Sequence, residues 1–310
     1  MTPVAVLITI ASYFLILFTI SYIAGRKADN EGFFVGNRKS AWYVVAFAMI
    51  GSSISGVTFV SVPGMVGISN FSYLQMVLGF VTGQIIIAFV LIPLFYRMNL
   101  VSIYEYLENR FGTSSYKTGA WFFFISKILG AAVRLYLVCL TLQLLVFEPF
   151  HMPFIMNVIL TVALVWLYTF RGGVKSLIWT DSLKTFCLIV SVVLCIYYIS
   201  TDLKLSFTEM FSTVSDSALS HMFFFDNVND KRYFFKQFLA GVFTMIAMTG
   251  LDQDMMQRNL SCKNFKDSQK NMITSGISQF FIILLFLMLG VLLYTCLLYT
   301  SDAADERSSV

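Results

Sequence analysis

One apolar stretch of the chain reads Met49-Ile50-Gly51-Ser52-Ser53-Ile54-Ser55-Gly56-Val57-Thr58 and is followed by Pro63-Gly64. Glycine adds backbone freedom and proline removes a donor, so a helix built on these residues is weakened partway along its length. Where such a helix lies in lipid, a break frees backbone carbonyls, and freed carbonyls persist there only if they line a cavity or bind something. Two readings stand at this point. Carbonyls and hydroxyls hold a cation or a solute, or the small residues let another helix pack closely.

Further along, Lys127 and Arg134 sit seven residues apart in an apolar run, nearly on one helical face. At 1.5 Å per residue they lie roughly 15 and 25 Å from the start of that run. Burying either charge is unfavourable unless it meets an interior partner, a wet cavity or an anionic ligand. Lys127 can also reach back towards the inner side, which Arg134 cannot easily do. A third ionisable group, Asp181, follows Ile178-Trp179-Thr180 about eight residues past Gly172-Gly173. Near the inner edge a carboxylate can cap backbone amides, pair with Lys184, or help a cation leave. The acids of Thr249-Gly250-Leu251-Asp252-Gln253-Asp254 read as interfacial.

The elements that must position these groups are membrane helices. The 310 residues are 58% hydrophobic, 16% aromatic and 12% charged, with mean hydropathy +0.78. An ordinary soluble domain is about one-quarter charged, which excludes a water-soluble enzyme. Spacing predicts an all-α multi-pass protein with about eight transmembrane helices: Val4 to Ala24, Ala41 to Val66, Phe71 to Tyr96, Lys117 to Phe147, Pro149 to Tyr168, Val174 to Ser200, Tyr233 to Met256 and Ser275 to Thr295. With the N-terminus outside, the inward connections hold Arg26, Lys27, Arg38, Lys39, Arg97, Arg110, Lys117, Arg171, Lys175, Arg258, Lys263, Lys266 and Lys270. The outward ones hold only Lys204, Lys231, Arg232 and Lys236. This asymmetry places the N-terminus extracytoplasmic in the cell inner (plasma) membrane. The segment Val4 to Ala24 lacks a basic leader and runs into Gly25-Arg26-Lys27, so it is expected to stay as a helix.

The formal charge of +4 falls between apolar runs and gives no sign of nucleic acid. The five cysteines, at 139, 187, 195, 262 and 296, have neither disulfide nor zinc spacing. The chain contains no HExxH, GxSxG, P-loop or dinucleotide fingerprint, and His151 and His221 fall in outward connections away from paired ligands. No catalytic residue and no metal site beyond an alkali cation is expected. From Cys296 the chain reads CLLYTSDAADERSSV, and Cys296 to Glu306 resembles a translated sequencing adapter. Residues 1–295 are accordingly expected to be the front of a longer transporter gene, with 296–310 a non-native tail.

The chain resembles the sodium:solute symporter family over nearly all of Met1 to Thr295. The resemblance rests on Gly36-Asn37-Arg38 before Ala41-Trp42-Tyr43, on the Ser52 to Phe59 break, and on Ile103 to Gly112. Tyr168 to Asp181 and Gly250-Leu251-Asp252-Gln253 to Gln257-Arg258 complete it. It implies a partial leucine-transporter-like fold of five helices repeated in inverted topology, with the first repeat over about 41–200 and the start of the second over about 233–295. It further implies that the carbonyls of Gly51 and Ile54 form half of a sodium site, that Asp181 belongs to a second sodium site, and that Ser53, Thr58 and Gln279 face the solute; Arg134 is expected to join them because of its depth in an apolar run.

Where sugar-transporting relatives carry Asn and Gln on the broken helix, this chain has Ser53 and Thr58. Met248 replaces a gating aromatic, and Gln279 stands where a sugar-contacting Lys would be. Arg134 suits a carboxylate. The expected function is sodium-coupled symport of a small organic solute into the cell, favouring an organic anion over a neutral sugar. Sodium is the coupling ion, no organic cofactor is expected, and the bilayer is the surrounding partner. The alternative is a transporter-like sensor domain of a histidine kinase. A channel is disfavoured, because the chain has no repeated carbonyl filter or charged ring.

Overall fold

In the computed structural model the described residues are 3–25, 40–100, 102–169 and 173–308. The Gly36-Asn37-Arg38 motif, Gly172 and the cations Arg26, Lys27, Lys39 and Arg171 lie outside them. What is described is helical, with one isolated parallel bridge between Ser40 and Cys262. The first helix, α1 (Pro3–Gly25), opens on a proline whose missing N–H is harmless in a first turn. Its hydroxyls are returned to its own backbone, Thr9 Oγ1 to Ala5 O at 2.9 Å and Thr19 Oγ1 to Leu15 O at 2.8 Å. A helix apolar on every side and little covered by its own chain needs a hydrocarbon solvent.

The next helices are α2 (Trp42–Ser53), α3 (Gly56–Ser69) and α4 (Tyr73–Ile86). A 3₁₀ turn, Asn70–Ser72, joins α3 to α4, and Asn70 there combines φ 56° with ψ −148°, a strained conformation outside the left-handed helical region. Beyond α4, a π-helical turn Ile87–Leu91 leads into Ile92–Arg97. There follow α5 (Ile103–Phe111), α6 (Thr113–Leu142), α7 (Phe154–Thr169) and α8 (Gly173–Asp202). The last four are α9 (Phe207–Asp216), α10 (Phe234–Met245), α11 (Gln253–Asn259) and α12 (Phe265–Ser308). By length and apolarity five helices among the described residues can cross a membrane, or six if a bent pair counts as one span.

The span expected over Ala41 to Val66 carries the break expected of it, as two helices interrupted at Ile54-Ser55. Two expectations are corrected. The span expected over Tyr233 to Met256 is bent by 72° at Leu251-Asp252, after a π-helical turn Ile246–Gly250. The last span starts at Phe265, ten residues before Ser275, because Asn264 caps it: Asp267 N–H donates to Asn264 Oδ1 at 2.8 Å.

The chain divides into two compact bodies. The first comprises Met1–Ala48, Pro93–Ser182 and Gln253–Ser268. In it α5 lays Tyr104 and Leu107 over Gly119 of α6, where a methyl group would stand 3.0 and 3.2 Å from their rings and branches. A buried polar network joins α6 to α7. Asn157 Nδ2 donates to Cys139 O at 2.7 Å and to Gln143 Oε1 at 3.3 Å, and Thr161 Oγ1 donates to Asn157 Oδ1 at 3.2 Å.

The second body comprises Met49–Ile92, Leu183–Asp252 and Gln269–Val310. Its tightest seam is α4 against α10. Gly79 and Gly83 form a small-residue stripe on α4, and a Cβ at Gly79 or at Gly241 would run into the facing backbone oxygen, Phe238 O or Met76 O. On the other side Gly290 of α12 leaves room for the backbone of Pro63, and Tyr294 covers Gly67 while its hydroxyl donates to Gly64 O at 3.0 Å. The outer connection after α9 is pinned to the Asn70 turn. Asn70 Nδ2 donates to Ala218 O, and Gln75 accepts from Phe224 N–H while donating to Arg232 O.

Candidate functional site

The interruption between α2 and α3 is built by two side chains. Ile54 N–H still donates to Ile50 O at 2.8 Å, the last rung of α2. One residue later the ladder stops, because Ser55 N–H donates to Thr58 Oγ1 at 3.2 Å, and Ser55 and Thr58 form a reciprocal capping box that starts α3. In an unbroken helix the amides of Ser55 and Thr58 would bond the carbonyls of Gly51 and Ile54, since each carbonyl pairs with the amide four residues on. The capping box redirects both amides. The two carbonyls singled out from the sequence are therefore the ones released from the ladder, at a point with no ionisable side chain. Ser53 is exposed and donates to Met49 O at 3.0 Å. Thr58 is half-buried, and its hydroxyl oxygen is engaged by the cap.

In the same body lies a polar cluster centred on Gln84, 3% exposed in α4. Its amide nitrogen donates to Gln279 Oε1 of α12 at 3.4 Å and approaches Met245 Sδ at 3.7 Å. Its carbonyl oxygen accepts from Ser275 Oγ at 3.5 Å and faces Gly276, whose lack of a Cβ makes room for it. Thr249 of the π-helical turn donates to Met245 Sδ at 2.9 Å. Gln279 is thus buried and held by another amide. Met248 on the same turn is exposed. Long hydrogen bonds at 3.4–3.7 Å leave this cluster loosely satisfied. Gln84 was not among the sequence candidates; its signal is an amide placed directly after the Gly79, Gly83 stripe in an apolar run.

Asp181 lies in the first body, 4% exposed. Its carboxylate accepts from Arg258 Nη1, and Arg258 is itself only 7% exposed. Arg258 also donates through Nε to Asp254 Oδ1 at 3.1 Å. Arg258, counted from sequence with the inner connections, is therefore a buried side chain shared by two carboxylates, and Asp254 is a partner rather than a plain interfacial acid. The readable signal was the i, i+4 spacing of Asp254 and Arg258. Close by, Ser40 N–H donates to Ser261 O at 3.1 Å and Ser182 Oγ to Val44 O at 3.3 Å. The turn after α11 buries Cys262 completely, and that burial pushes its thiol pKa up to about 12.

Arg134 sits on an exposed face of α6 and makes no ion pair among the described residues. Lys127, half-buried about two helical turns earlier, places its ammonium 5.4 Å from the centre of the Phe123 ring. Gly51, Ser53, Ile54, Thr58 and Gln279 belong to the second body, and Arg134 and Asp181 to the first.

Comparison with known proteins decides what this architecture is. The model of the sodium:solute symporter family matches residues 33–305. The chain belongs to the sodium:solute symporter family. Among curated relatives, the sodium-coupled monocarboxylate transporter 2 of Homo sapiens is 25% identical over 272 residues, 87% of this chain and 43% of that protein. The sodium/sialic acid symporter NanT of Aliivibrio fischeri is 26% identical over 269 residues, 82% of this chain and 50% of its own length. The chain thus spans about half the length of the curated relatives it matches. Its fold is that of a solved Na+-coupled sialic acid symporter in a substrate-bound outward-open state, with TM-score 0.81 and 21% identity over 94% of this chain and 61% of that one. The all-α, multi-pass expectation and the family resemblance are both borne out.

Proposed function

We propose that this chain carries the cation-binding break of a sodium-coupled symporter for a small organic anion. The observation that carries the reading is the capping box of Ser55 and Thr58, which withdraws the amide donors from the carbonyls of Gly51 and Ile54. Uncharged carbonyl dipoles suit a bare alkali cation, whereas a proton would need a titratable side chain, and residues 49–58 contain none. Asp181 supplies a carboxylate for a second cation. Two relatives are named for solutes that carry a carboxylate, a monocarboxylate and sialic acid. That agrees with Arg134 as the group that receives the anion, with Ser53, Thr58 and Gln279 as uncharged contacts. The sensor alternative gains no support from these matches. In this reading the protein lies in the inner (plasma) membrane with its N-terminus outside, transports rather than catalyses, and has lipid, sodium and a small solute as its partners.

The test is uptake into proteoliposomes by the full-length protein. Replacing sodium by choline should abolish uptake, and Gly51→Leu should raise the sodium concentration needed for half-maximal uptake. Uptake indifferent to sodium but driven by a proton gradient overturns the assignment. For the anion, Arg134→Lys keeps the charge and loses the planar fork, so a bidentate carboxylate contact predicts a large fall in apparent solute affinity with the protein still inserted. Unchanged affinity would return Arg134 to a structural role.

A further inference from the structure

The short helix α9 of the second body is started by its own side chains. Ser206 N–H donates to Glu209 Oε2 at 2.7 Å, one half of a capping box. Along the ten residues that follow, Met210, Val214, Phe207 and Phe211 share an arc of about 100°, the width of one apolar helix face. Met210 and Val214, on one side of that arc, are buried at 6% exposure each. Phe207 and Phe211, on the other side, are 76% and 46% exposed. Their rings meet edge to face with centroids 5.0 Å apart, so they form one apolar edge rather than two scattered residues. Thr208, Glu209, Ser212, Ser215 and Asp216, which fill most of the remaining circumference, are polar and exposed.

Both ends of α9 are tied to the ends of membrane helices. Before it stands α8, whose apolar stretch Ser176–Asp202 is long enough to span and whose last turns expose Leu194, Tyr197 and Tyr198. Tyrosine at the end of a span marks the level of the lipid headgroups. A Schellman turn closes α8 there: Leu205 N–H donates to Ser200 O at 2.9 Å, Lys204 N–H to Thr201 O at 3.0 Å, and Lys204 takes the left-handed φ of 54°. Only Leu203 to Ser206 separate the two helices. Beyond α9, Ala218 O accepts from Asn70 Nδ2 at 2.9 Å and His221 O from Phe71 N–H at 3.1 Å, at the turn that joins α3 to α4. A helix about 15 Å long, held at both ends by the termini of apolar helices, lies at the membrane boundary. Its uncovered edge continues the aromatic surface that α8 presents there.

We propose that the Phe207, Phe211 edge of α9 is a lipid contact, seated where headgroups meet acyl chains, with α9 lying along the membrane surface. The occupant is the apolar part of the lipid rather than its charge. Glu209 and Asp216 stand on the polar face and Lys204 alone precedes the helix, so this segment does not attract anionic headgroups. The seat also sets the depth of the Asn70 turn, which Ala218 and His221 grip a few residues beyond α9. The inference goes beyond the proposed function and does not depend on which ion or solute is carried.

The test is spin-label accessibility in the full-length protein, reconstituted in phosphatidylcholine vesicles with its other cysteines replaced by alanine. Labels are placed singly at Phe207→Cys, Phe211→Cys, Ser212→Cys and Asp216→Cys, and collisions are measured with oxygen, which concentrates in lipid, and with a water-soluble nickel complex. The oxygen-to-nickel ratio at the two phenylalanine positions should exceed that at the two polar positions by at least about threefold, the contrast between acyl boundary and water. Should the cysteine-free protein fail to fold, a second measurement needs no cysteine removal. Benzoylphenylalanine in place of Phe207, irradiated in the same vesicles, should gain the mass of one phospholipid. Equal access of both reagents at all four positions puts the edge in water. Shielding of the phenylalanine positions from both reagents, with a protein crosslink from position 207, puts it against another part of the chain or a second copy. Either result overturns the proposal. So does a contrast that appears only when phosphatidylglycerol is added, since the contact would then be one of charge.

Discussion

At Ile54-Ser55 the chain interrupts a helix without any ionisable side chain, whereas the interruption at Leu251-Asp252 is flanked by Asp252, Asp254 and Arg258. The first break is made by hydroxyls that take amides away from carbonyls, so its polarity comes from the main chain. The second is prepared by a π-helical turn, Ile246–Gly250, which widens the ladder before the 72° bend, and its polarity is carried by side chains. Glycine also serves different ends at the two places. Around Gly56 a Cβ would meet nothing within 4 Å, so glycine there acts through backbone freedom. At Gly241, in the helix leading to the second break, a Cβ would run into Met76 O, so glycine there acts through close approach. A main-chain break can offer a neutral, fixed set of oxygens; a side-chain break can exchange partners.

The largest expected effect tests that division directly. Gly241→Ala forces α10 away from α4 at a backbone-to-backbone contact and should cost about 1–3 kcal/mol, the range for overpacking a tight interior. Gly56→Ala, in open space at the start of a helix, should be neutral or stabilising by up to about 1 kcal/mol, because it restricts the unfolded chain. Thermal unfolding of the two variants in the same detergent measures the contrast. Equal losses would mean that the glycines of the first break are packing residues after all, the second of the two readings open at the level of sequence.

A smaller effect separates capping from solute contact at Thr58. Thr58→Val keeps the shape and removes the oxygen that receives Ser55 N–H. The amide can then return to Gly51 O, which closes the ladder and withdraws a carbonyl from the cation. Sodium half-saturation should rise about tenfold, equal to about 1.4 kcal/mol of cation binding, with about 1 kcal/mol of stability lost from the cap. A variant that changes solute affinity while leaving the sodium requirement at its wild-type value would place Thr58 on the solute instead.

How legible each break was follows from the same contrast. Gly51, Ser52, Ser53, Ser55, Gly56 and Pro63 concentrate helix-weakening residues in a few turns, and composition alone located the interruption there. At the second break Ile246-Ala247-Met248-Thr249-Gly250 looks like ordinary membrane helix, and a π-helical turn has no compositional mark, so the span read as continuous to Met256. Gln279 was legible through the family resemblance, but its partner Gln84 lies 195 residues away and only the fold brings them together. Asp181 was legible for the same reason. Its pairing with Arg258 was not, since positional counting assigns every cation between two spans to the inner surface and says nothing of burial.

The smallest expected effect concerns Cys262, just beyond α11, and it tests whether the turn after the second break can open. Burial raises the thiol pKa to about 12, so between pH 7 and 9 the folded state keeps it protonated, and the thiol rather than the reactive thiolate is present. A raised folded value favours the fold while the thiol stays protonated. That contribution is complete below the unfolded thiol's range near 9 and disappears as pH rises through about 12, so near neutral pH this thiol should add no pH dependence to stability. Maleimide labelling at pH 8 should therefore spare Cys262 in the state described here, with Ser40 laid against it. If sodium releases the α11 turn, labelling of Cys262 should speed up on adding sodium in place of choline, in a protein whose other cysteines have been replaced by alanine. The gain should be modest, a few-fold, because the turn must open before the thiol can ionise. Labelling that is fast in choline, or equally slow in both salts, would show that the turn after the second break is as fixed as the capped carbonyls of the first.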